Sequence, residues 1–199
     1  MSTRNITISG LPGGGSTTLM KLLQPTIGWQ CYSGGEFMRA YAIEKGYFSS
    51  VSDVHHDASV YPDDFDRQVD YAVREKLAHE SNYIFEAWLS GFLAQRIPDV
   101  LKILVICSED SVRIDRVVNR DGISVAEAKK HIIERETKNR AKWQAMYANE
   151  WRQWVVEPGT LPADAEIDFW NPKLYDLVID TYRYSREETL NVVLDALKT

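Results

Sequence analysis

The sequence is poor in cysteine and in long apolar runs, and each scarcity excludes a class of protein. Its 199 residues include two cysteines. Cys31 and Cys107 each lie in an apolar, strand-like segment, so we expect buried thiols in a cytoplasmic protein rather than a disulfide. No apolar run is long enough for a membrane-spanning helix, so we expect no membrane partner.

Surplus positive charge is also lacking. The 23 lysines and arginines stand against 29 aspartates and glutamates, which gives a net charge of −6. A protein that binds long nucleic acid needs clustered cations along the phosphate backbone, so we expect no such partner. A small phosphorylated ligand needs only a local positive pocket, and that class of ligand stays open. We expect a monomer.

What the chain does have is an alternation of strand-like and helix-like segments, which is typical of a parallel sheet covered by helices on both faces. Its apolar fraction of 44% and charged fraction of 26% are those of a globular protein. Runs of β-branched and aromatic residues predict five strands, "NITISG", "WQCYS", "YIFEAW", "LKILVIC" and "YDLVIDT". The predicted fold class is α/β, with a single domain over residues 1–199.

Capping signals locate the helices. "STTLMKLLQ" has helical apolar spacing and is predicted to end near Pro25, while "GGEFMRAYAIEKG" is predicted to close at Gly46. "FDRQVDYAVREKLAHE" is periodic as well. Two capping boxes, each a serine three residues before a glutamate, begin a long charged helix after Ser124 and a closing helix after Ser185. Residues 152–172, rich in proline, are predicted to form an irregular excursion.

The first strand leads directly into "ISGLPGGGSTT", which has the spacing of a phosphate-binding loop. In such a loop, glycines let the backbone approach phosphates, and the N–H groups of a helix N-terminus converge on the anion. A hydroxyl at Thr17 stands where the shell of Mg²⁺ is completed. The residues expected to hold the donor phosphates are Gly10, Gly13, Gly14, Gly15, Ser16, Thr17 and Thr18.

This loop lacks the lysine that normally reaches the β- and γ-phosphates, because Ser16 stands at that position. A glycine-rich turn that binds nothing is the alternative, but three glycines and a threonine at a helix entry exceed what a turn requires. Other cations must then neutralise the transferred phosphoryl group, or transfer is slow.

A second motif, "SGGEFMR", follows the second strand and runs from Ser33 to Arg39. Small residues begin a helix there, and a guanidinium one turn later is suited to clamping a second phosphate. A capped surface helix with a solvated arginine is the alternative when the motif is considered alone.

Taken in order, "ITISGLPGGGSTT", "YSGGEFMRA", "FDRQVD", "IFEAWLSG", "VVNRDGISVAEAKKHIIERE" and "YDLVIDT" resemble the cytidylate kinases, especially the short form typical of archaea. The resemblance covers nearly the whole chain. It implies a nucleoside monophosphate kinase of the P-loop NTPase fold with a five-stranded parallel core, a monophosphate-binding segment over about residues 35–80 and a lid over about residues 120–172. It also implies ATP and Mg²⁺ as co-substrates and CMP or dCMP as the acceptor.

The resemblance assigns roles by position. It implies that Thr17 contacts Mg²⁺ and that Glu86, which ends the third strand, holds the ion through a water molecule. It implies that Arg135 and Arg140 are lid arginines that close over the transferring phosphoryl group, with Lys142 as a further basic residue. On a continuous helix Arg140 points away from the face that Arg135 and Lys142 share. The acceptor contacts implied in this way are Ser33, Arg39, Asp66 and Arg67.

The sequence departs from the family pattern after the third strand, where Ala87-Trp88 replaces a Gly-Arg pair. An arginine expected on the acceptor phosphate is therefore missing, and Trp88 is predicted to stack on a base or to narrow the acceptor pocket. Together with Ser16, this departure leaves two hypotheses. One is a kinase for CMP, dCMP or another small acceptor, and the other is a non-catalytic nucleotide-binding or regulatory protein that retains the fold.

Aromatic residues recur at near-helical spacing beside the lid, at Trp143, Tyr147 and Trp151. This pattern is more typical of packing against a neighbouring element than of a base-stacking platform. Exposed rings at Trp143 and Trp151 would instead indicate a surface for a protein partner.

Overall fold

The computed structural model describes residues 3–44 and 62–198, except the side chains at positions 39, 41–43 and 63. The strands are β1 (Asn5–Gly10), β2 (Gln30–Ser33), β3 (Tyr83–Glu86), β4 (Val100–Ile106) and β5 (Leu177–Asp180). They form one sheet in the order β2-β3-β1-β4-β5, and every pairing is parallel. The predicted five-stranded parallel sheet is therefore confirmed.

Helices follow most of the strands, as expected for parallel connections. The helices are α1 (Ser16–Ile27), α2 (Gly34–Glu44), α3 (Asp63–His79), α4 (Ser90–Leu93), α5 (Asp110–Asp121), α6 (Val125–Met146), α7 (Ala148–Trp151) and α8 (Arg186–Ala196). A π-helical turn, Arg152–Val156, and a 3-10 turn, Pro172–Leu174, follow α7. Within the described ranges, none of these helices combines the length and apolar character needed to span a membrane.

Two apolar cores cover the two faces of the sheet, because alternate strand residues point to opposite sides. Ile84 of β3 packs on the side of α1 and α8, whereas its neighbour Phe85 packs on the side of α3, α4 and α6. Leu104 and Val105 of β4 divide in the same way. A small third cluster joins α5 to α6.

The end of α1 differs from the prediction. Pro25 lies inside the helix, which continues to Ile27. Gly28 ends it with a φ of 72°, and the Gly28 N–H donates to the Gln24 carbonyl oxygen at 2.9 Å. A glycine adopts this left-handed conformation without strain, so the helix ends at a glycine three residues after the proline rather than at the proline itself.

The two predicted capping boxes are confirmed at Ser124 and Ser185, each with both reciprocal hydrogen bonds to the glutamate three residues later. Helix α5 was not predicted. It ends at Gly122, which has a φ of 67°. The predicted close of α2 at Gly46, and much of the predicted monophosphate-binding segment, lie outside the described residues.

The cysteines are both free thiols, as expected. Cys107 is buried, but Cys31 is only half-buried, which corrects the expectation for that residue. The reason is its place on β2, one of the two edge strands of the sheet, which has a neighbouring strand on one side alone. Partial burial still raises the pKa of the Cys31 thiol.

Candidate active site

The glycine-rich loop joins β1 to α1 and packs against α5. A Cβ atom on Gly13, which has a φ of +77°, would lie 2.6 Å from the main-chain oxygen of Arg113. The close approach of these two backbones therefore requires glycine. Gly15 precedes α1 and makes no side-chain cap, so the N–H groups of the first helical turn are left for an anion.

A buried carboxylate links this loop to the start of α2. Glu86 ends β3, which lies between β1 and β2, and the residue is 7% exposed. Its Oε1 accepts hydrogen bonds from Ser16 Oγ at 2.8 Å and from Thr17 Oγ1 at 3.2 Å. Its Oε2 accepts a hydrogen bond from Ser33 Oγ at 2.9 Å. Four predicted site residues thus meet at three adjacent strand ends.

The position of the absent lysine is occupied by a hydroxyl that already has a partner. Ser16 is 8% exposed and points its Oγ at the Glu86 carboxylate. The positive charge for a bound phosphate must therefore come from other elements around the cleft.

A cleft of about 780 Å³ opens over these residues, which is within the range of small-molecule sites. The predicted residues that line it are Gly10, Gly13, Gly15, Ser16, Thr17, Thr18, Ser33, Glu86, Trp88 and Arg135. The predicted residues that do not line it, among the described side chains, are Gly14, Asp66, Arg67, Arg140 and Lys142. The side chain of Arg39 lies outside the described residues, although its backbone belongs to α2.

Several cations in the cleft wall were not predicted. They are Lys21 of α1, Arg116 and Arg120 of α5, and Arg186 of α8. A signal for the α5 pair was available in the sequence, because Arg113, Arg116 and Arg120 recur at intervals of three and four residues. That spacing places them on one face of a helix.

Two arginines of α5 hold the loop through its carbonyl oxygens. Arg116 Nη1 donates to the Gly13 carbonyl oxygen at 3.0 Å. Arg113 Nε donates to the Pro12 carbonyl oxygen at 3.2 Å, and its guanidinium also forms an ion pair with Glu136 of α6. These contacts bring positive charge close to the loop.

Arg135 lies over an aromatic ring at the edge of the cleft. Its Cζ is 5.5 Å from the centroid of the Trp88 ring. Trp88 packs edge to face against Trp143 and Trp170, with ring centroids 5.5 and 6.0 Å away. Trp88 lines the cleft, so its position supports the predicted narrowing, whereas a base that stacked on it would compete with Arg135.

Arg140 lies on another side of α6, as the helical spacing predicted. Its Nη1 pairs with Asp168 Oδ1 at 3.0 Å, and its Cζ is 4.8 Å from the centroid of the Trp170 ring. The structure therefore brings Arg135, but not Arg140, to the cleft.

Asp66 and Arg67 connect α3 to α6 and α7 rather than to the cleft. Lys142 Nζ pairs with Asp66 Oδ2 at 2.8 Å, and both side chains are nearly buried. Arg67 forms an ion pair with Glu150 and donates to the Met146 carbonyl oxygen at 2.7 Å. Of the four predicted acceptor contacts, Ser33 lines the cleft, Asp66 and Arg67 do not, and the side chain of Arg39 lies outside the described residues.

The same helix interface holds a carboxyl group with a strongly shifted pKa. Burial raises the pKa of Asp70 to about 7, although a hydrogen bond from Tyr147 Oη opposes the shift. That hydrogen bond is 2.6 Å long. Tyr147 is fully buried. The interface between α3 and α6 thus contains a carboxyl group whose pKa is raised to about 7.

The aromatic residues beside the predicted lid are core residues, as their spacing favoured. Trp143 is 9% exposed and Trp151 is 3% exposed, because both pack into the cluster around Phe92. The hypothesis of a partner surface at Trp143 and Trp151 required exposed rings, so the burial of both rings contradicts it.

The fold and the site define a P-loop kinase. The model of the cytidylate kinase-like family matches residues 5–183. A cytidylate kinase of Methanopyrus kandleri is 32% identical, with 96% of this chain and 92% of the relative covered. A cytidylate kinase of Pyrococcus abyssi is 33% identical, with 96% and 92% covered. The chain belongs to the cytidylate kinase-like family.

Solved structures show the same fold at low sequence identity. An uncharacterised protein from Eubacterium ventriosum has a TM-score of 0.63 at 14% identity, with 98% of this chain and 99% of that chain covered. A shikimate kinase from Acinetobacter baumannii has a TM-score of 0.53 at 10% identity, with 98% and 93% covered.

Proposed function

We propose that this protein is a nucleoside monophosphate kinase that transfers the γ-phosphoryl group of ATP to CMP or dCMP. The observation that carries the proposal is the position of Glu86, whose carboxylate gathers hydroxyls from both the phosphate-binding loop and Ser33. The names of the archaeal relatives support CMP as the acceptor class.

The donor set around Glu86 fits Mg²⁺, which prefers oxygen ligands and keeps several of its waters. Thr17, in the first turn of α1, offers a hydroxyl, and Glu86, at the end of β3, offers a carboxylate that accepts a hydrogen bond from it. The described residues contain no group of three or more His, Cys, Asp or Glu side chains that could hold a metal ion. When bound, Mg²⁺ neutralises charge on phosphate oxygens. Thr17 would contact it directly and Glu86 through water.

The donor nucleotide would occupy the loop and the wall formed by α5 and α8. Backbone N–H groups at the start of α1 bind its phosphates, and Arg116 and Arg120 add charge beside them. Tyr184 also lines the cleft, and its planar ring is suited to contact a flat base.

Phosphoryl transfer needs positioned cations rather than a strong base. Arg135 is already at the cleft, where its guanidinium can bind oxygens of the transferring group. Arg140 can reach the same group only after it leaves Asp168. We therefore assign Arg135 the larger role and Arg140 a role that depends on movement of α6.

The acceptor would lie between Ser33 and Trp88. Ser33 Oγ donates to Glu86, so this hydroxyl has a fixed orientation at the cleft. Arg39 is proposed as a phosphate contact from α2. Asp66 and Arg67 remain proposed acceptor contacts, and they would have to exchange their present partners on α6 and α7 for the ligand.

The test is a coupled assay of the purified protein with ATP, Mg²⁺ and a panel of nucleoside monophosphates and other small acceptors. We expect ADP formation above the acceptor-free background, highest with CMP and dCMP. The acceptor-free reaction is the control, because it measures loss of ATP to water. Nucleotide binding without ADP formation for any acceptor would overturn the proposal and favour the non-catalytic alternative, for which Ser16 and Trp88 are the motivation.

We further propose that the protein is monomeric and cytoplasmic. The two free cysteines support a reducing compartment. Light scattering of the purified chain tests the first proposal, and localisation of a tagged copy tests the second.

A further inference from the structure

Trp88 lines the cleft and packs against Trp143 and Trp170, and we call these three residues the tryptophan triad. We propose that Trp88 is a positioning residue. Trp143 and Trp170 fix its ring, and the ring holds the guanidinium of Arg135 at the cleft, where it can meet the transferring phosphoryl group. This inference rests on the proposed kinase function, which it deepens by assigning a task to Trp88.

The triad fixes the Trp88 ring from several directions. Trp143 and Trp170 both approach it edge to face, at interplanar angles of 69° and 72°. Trp170 Nε1 also donates to the main-chain oxygen of Trp88 at 3.1 Å. Because Trp143 and Trp170 are 9% and 7% exposed, the groups that hold Trp88 are part of the core.

Arg135 is placed over this fixed ring within the range of a cation–π interaction. Its Cζ lies 5.5 Å from the ring centroid, and tryptophan is the most favourable aromatic partner for a guanidinium. An arginine side chain is long and flexible, so a ring beneath it restricts the positions that the guanidinium samples. Both residues line the cleft, so the restricted position is one from which a ligand can be reached.

The triad also separates the two arginines of α6. Arg140 lies over Trp170 and pairs with Asp168, whereas Arg135 lies over Trp88. Each guanidinium thus has its own ring, and one of the two is directed to the cleft. Removal of the Trp88 ring would take away the ring beneath Arg135, whereas Arg140 would keep both Trp170 and Asp168.

The test is a double-mutant cycle between Trp88→Leu and Arg135→Met, with Trp88→Phe as the conservative variant. We expect roughly a tenfold fall in kcat for Trp88→Leu and a smaller fall for Trp88→Phe, because phenylalanine still offers a ring face. KM for ATP should change less than twofold. In the Arg135→Met background, Trp88→Leu should have little further effect on kcat.

A spectroscopic readout tests the position of Arg135 without turnover. The Nε–Hε resonance of Arg135, assigned by its loss in Arg135→Met, should be shifted upfield by the ring current in the wild type and in Trp88→Phe. It should move towards the usual arginine position in Trp88→Leu.

Trp154→Leu is the matched control, because Trp154 also lies beneath an arginine, with Arg74 Cζ 3.9 Å from its centroid. It belongs to the same apolar core but does not line the cleft. We expect a similar loss of thermal stability and unchanged kcat.

The possible results separate this inference from the proposed function. Additive losses in the cycle, equal losses in Trp88→Leu and Trp154→Leu, or an unshifted Arg135 resonance in the wild type would each overturn the positioning role. Absence of turnover with every acceptor would overturn the kinase function, while the resonance would still decide whether Trp88 holds Arg135 in place.

Discussion

Replacement of Glu86 by glutamine removes one negative charge from the centre of the site with little change of shape. The amide oxygen of Glu86→Gln can still accept from Ser16 and Thr17, as Oε1 does in the wild type. The amide nitrogen would face Ser33, whose hydroxyl can rotate to accept a hydrogen bond. The three polar contacts of Glu86 are therefore all replaceable, and we expect the variant to fold.

The stability change should be small because two effects oppose each other. Hydrogen bonds to a charged group contribute about 1.5–3 kcal/mol each, against about 0.5–1.5 kcal/mol for neutral pairs, so the variant loses roughly 1 kcal/mol per bond. Glu86 is nearly buried, however, and a neutral amide escapes the cost of keeping a charge away from water. A net change within about 2 kcal/mol follows.

Activity should fall much further than stability. A carboxylate that holds a metal ion through water typically contributes about 10–100-fold to metal affinity or activity. We expect kcat with CMP and ATP to fall by at least tenfold and the Mg²⁺ concentration for half-maximal rate to rise. The assay is steady-state ADP formation over a Mg²⁺ titration, together with a thermal melt.

Glu80→Gln is the control, because Glu80 is a half-exposed glutamate that pairs with Lys76 at 2.9 Å away from the cleft. It should keep wild-type kinetics. If Glu86→Gln retained kcat within threefold of the wild type at every Mg²⁺ concentration, the placement of Glu86 at the metal would be refuted.

Two further predictions concern pH and the absent lysine. The folded-state pKa of Asp70 is about 7, so folding binds a proton between about pH 4 and pH 7, and stability falls as pH rises through that window. Relative to Asp70→Asn, the wild-type melting temperature should decline from pH 5 to pH 8, and parallel curves would contradict this. For Ser16→Lys, the new ammonium should pair with Glu86, since charges 4 Å apart near a protein surface attract by about 4 kcal/mol. We expect no gain in kcat and a higher Mg²⁺ requirement; a tenfold gain would show that the ammonium reaches the phosphates.

Features encoded by short stretches of chain were predictable. The capping boxes at Ser124 and Ser185 each involve residues three apart. The phosphate-binding loop lies between a strand and a helix that were both predicted from the residues directly beside it. Helical spacing also predicted that Arg140 would point away from Arg135, which the pairing with Asp168 confirms.

Features that depend on partners far along the chain were not predictable in the same way. The spacing of α6 could show which residues share a face, but not that Lys142 would meet Asp66 of α3. The surroundings of Trp88 depend on Trp143 and Trp170, which approach it from separate segments. The arginines of α5 were missed for another reason, since their helix was not recognised although their spacing was visible.

The strand register around Glu86 has a consequence for how this protein tolerates mutation. In the sheet, Glu86 is aligned with Ser33 on one side and Ile8 on the other. A slip of β3 by one residue would turn the carboxylate to the opposite face and bring Phe85 or Ala87 to its place. The site around Glu86 is therefore assembled only when β2, β3 and β1 pair in the correct register. Substitutions that disturb the pairing of these three strands should therefore reduce activity before they unfold the protein.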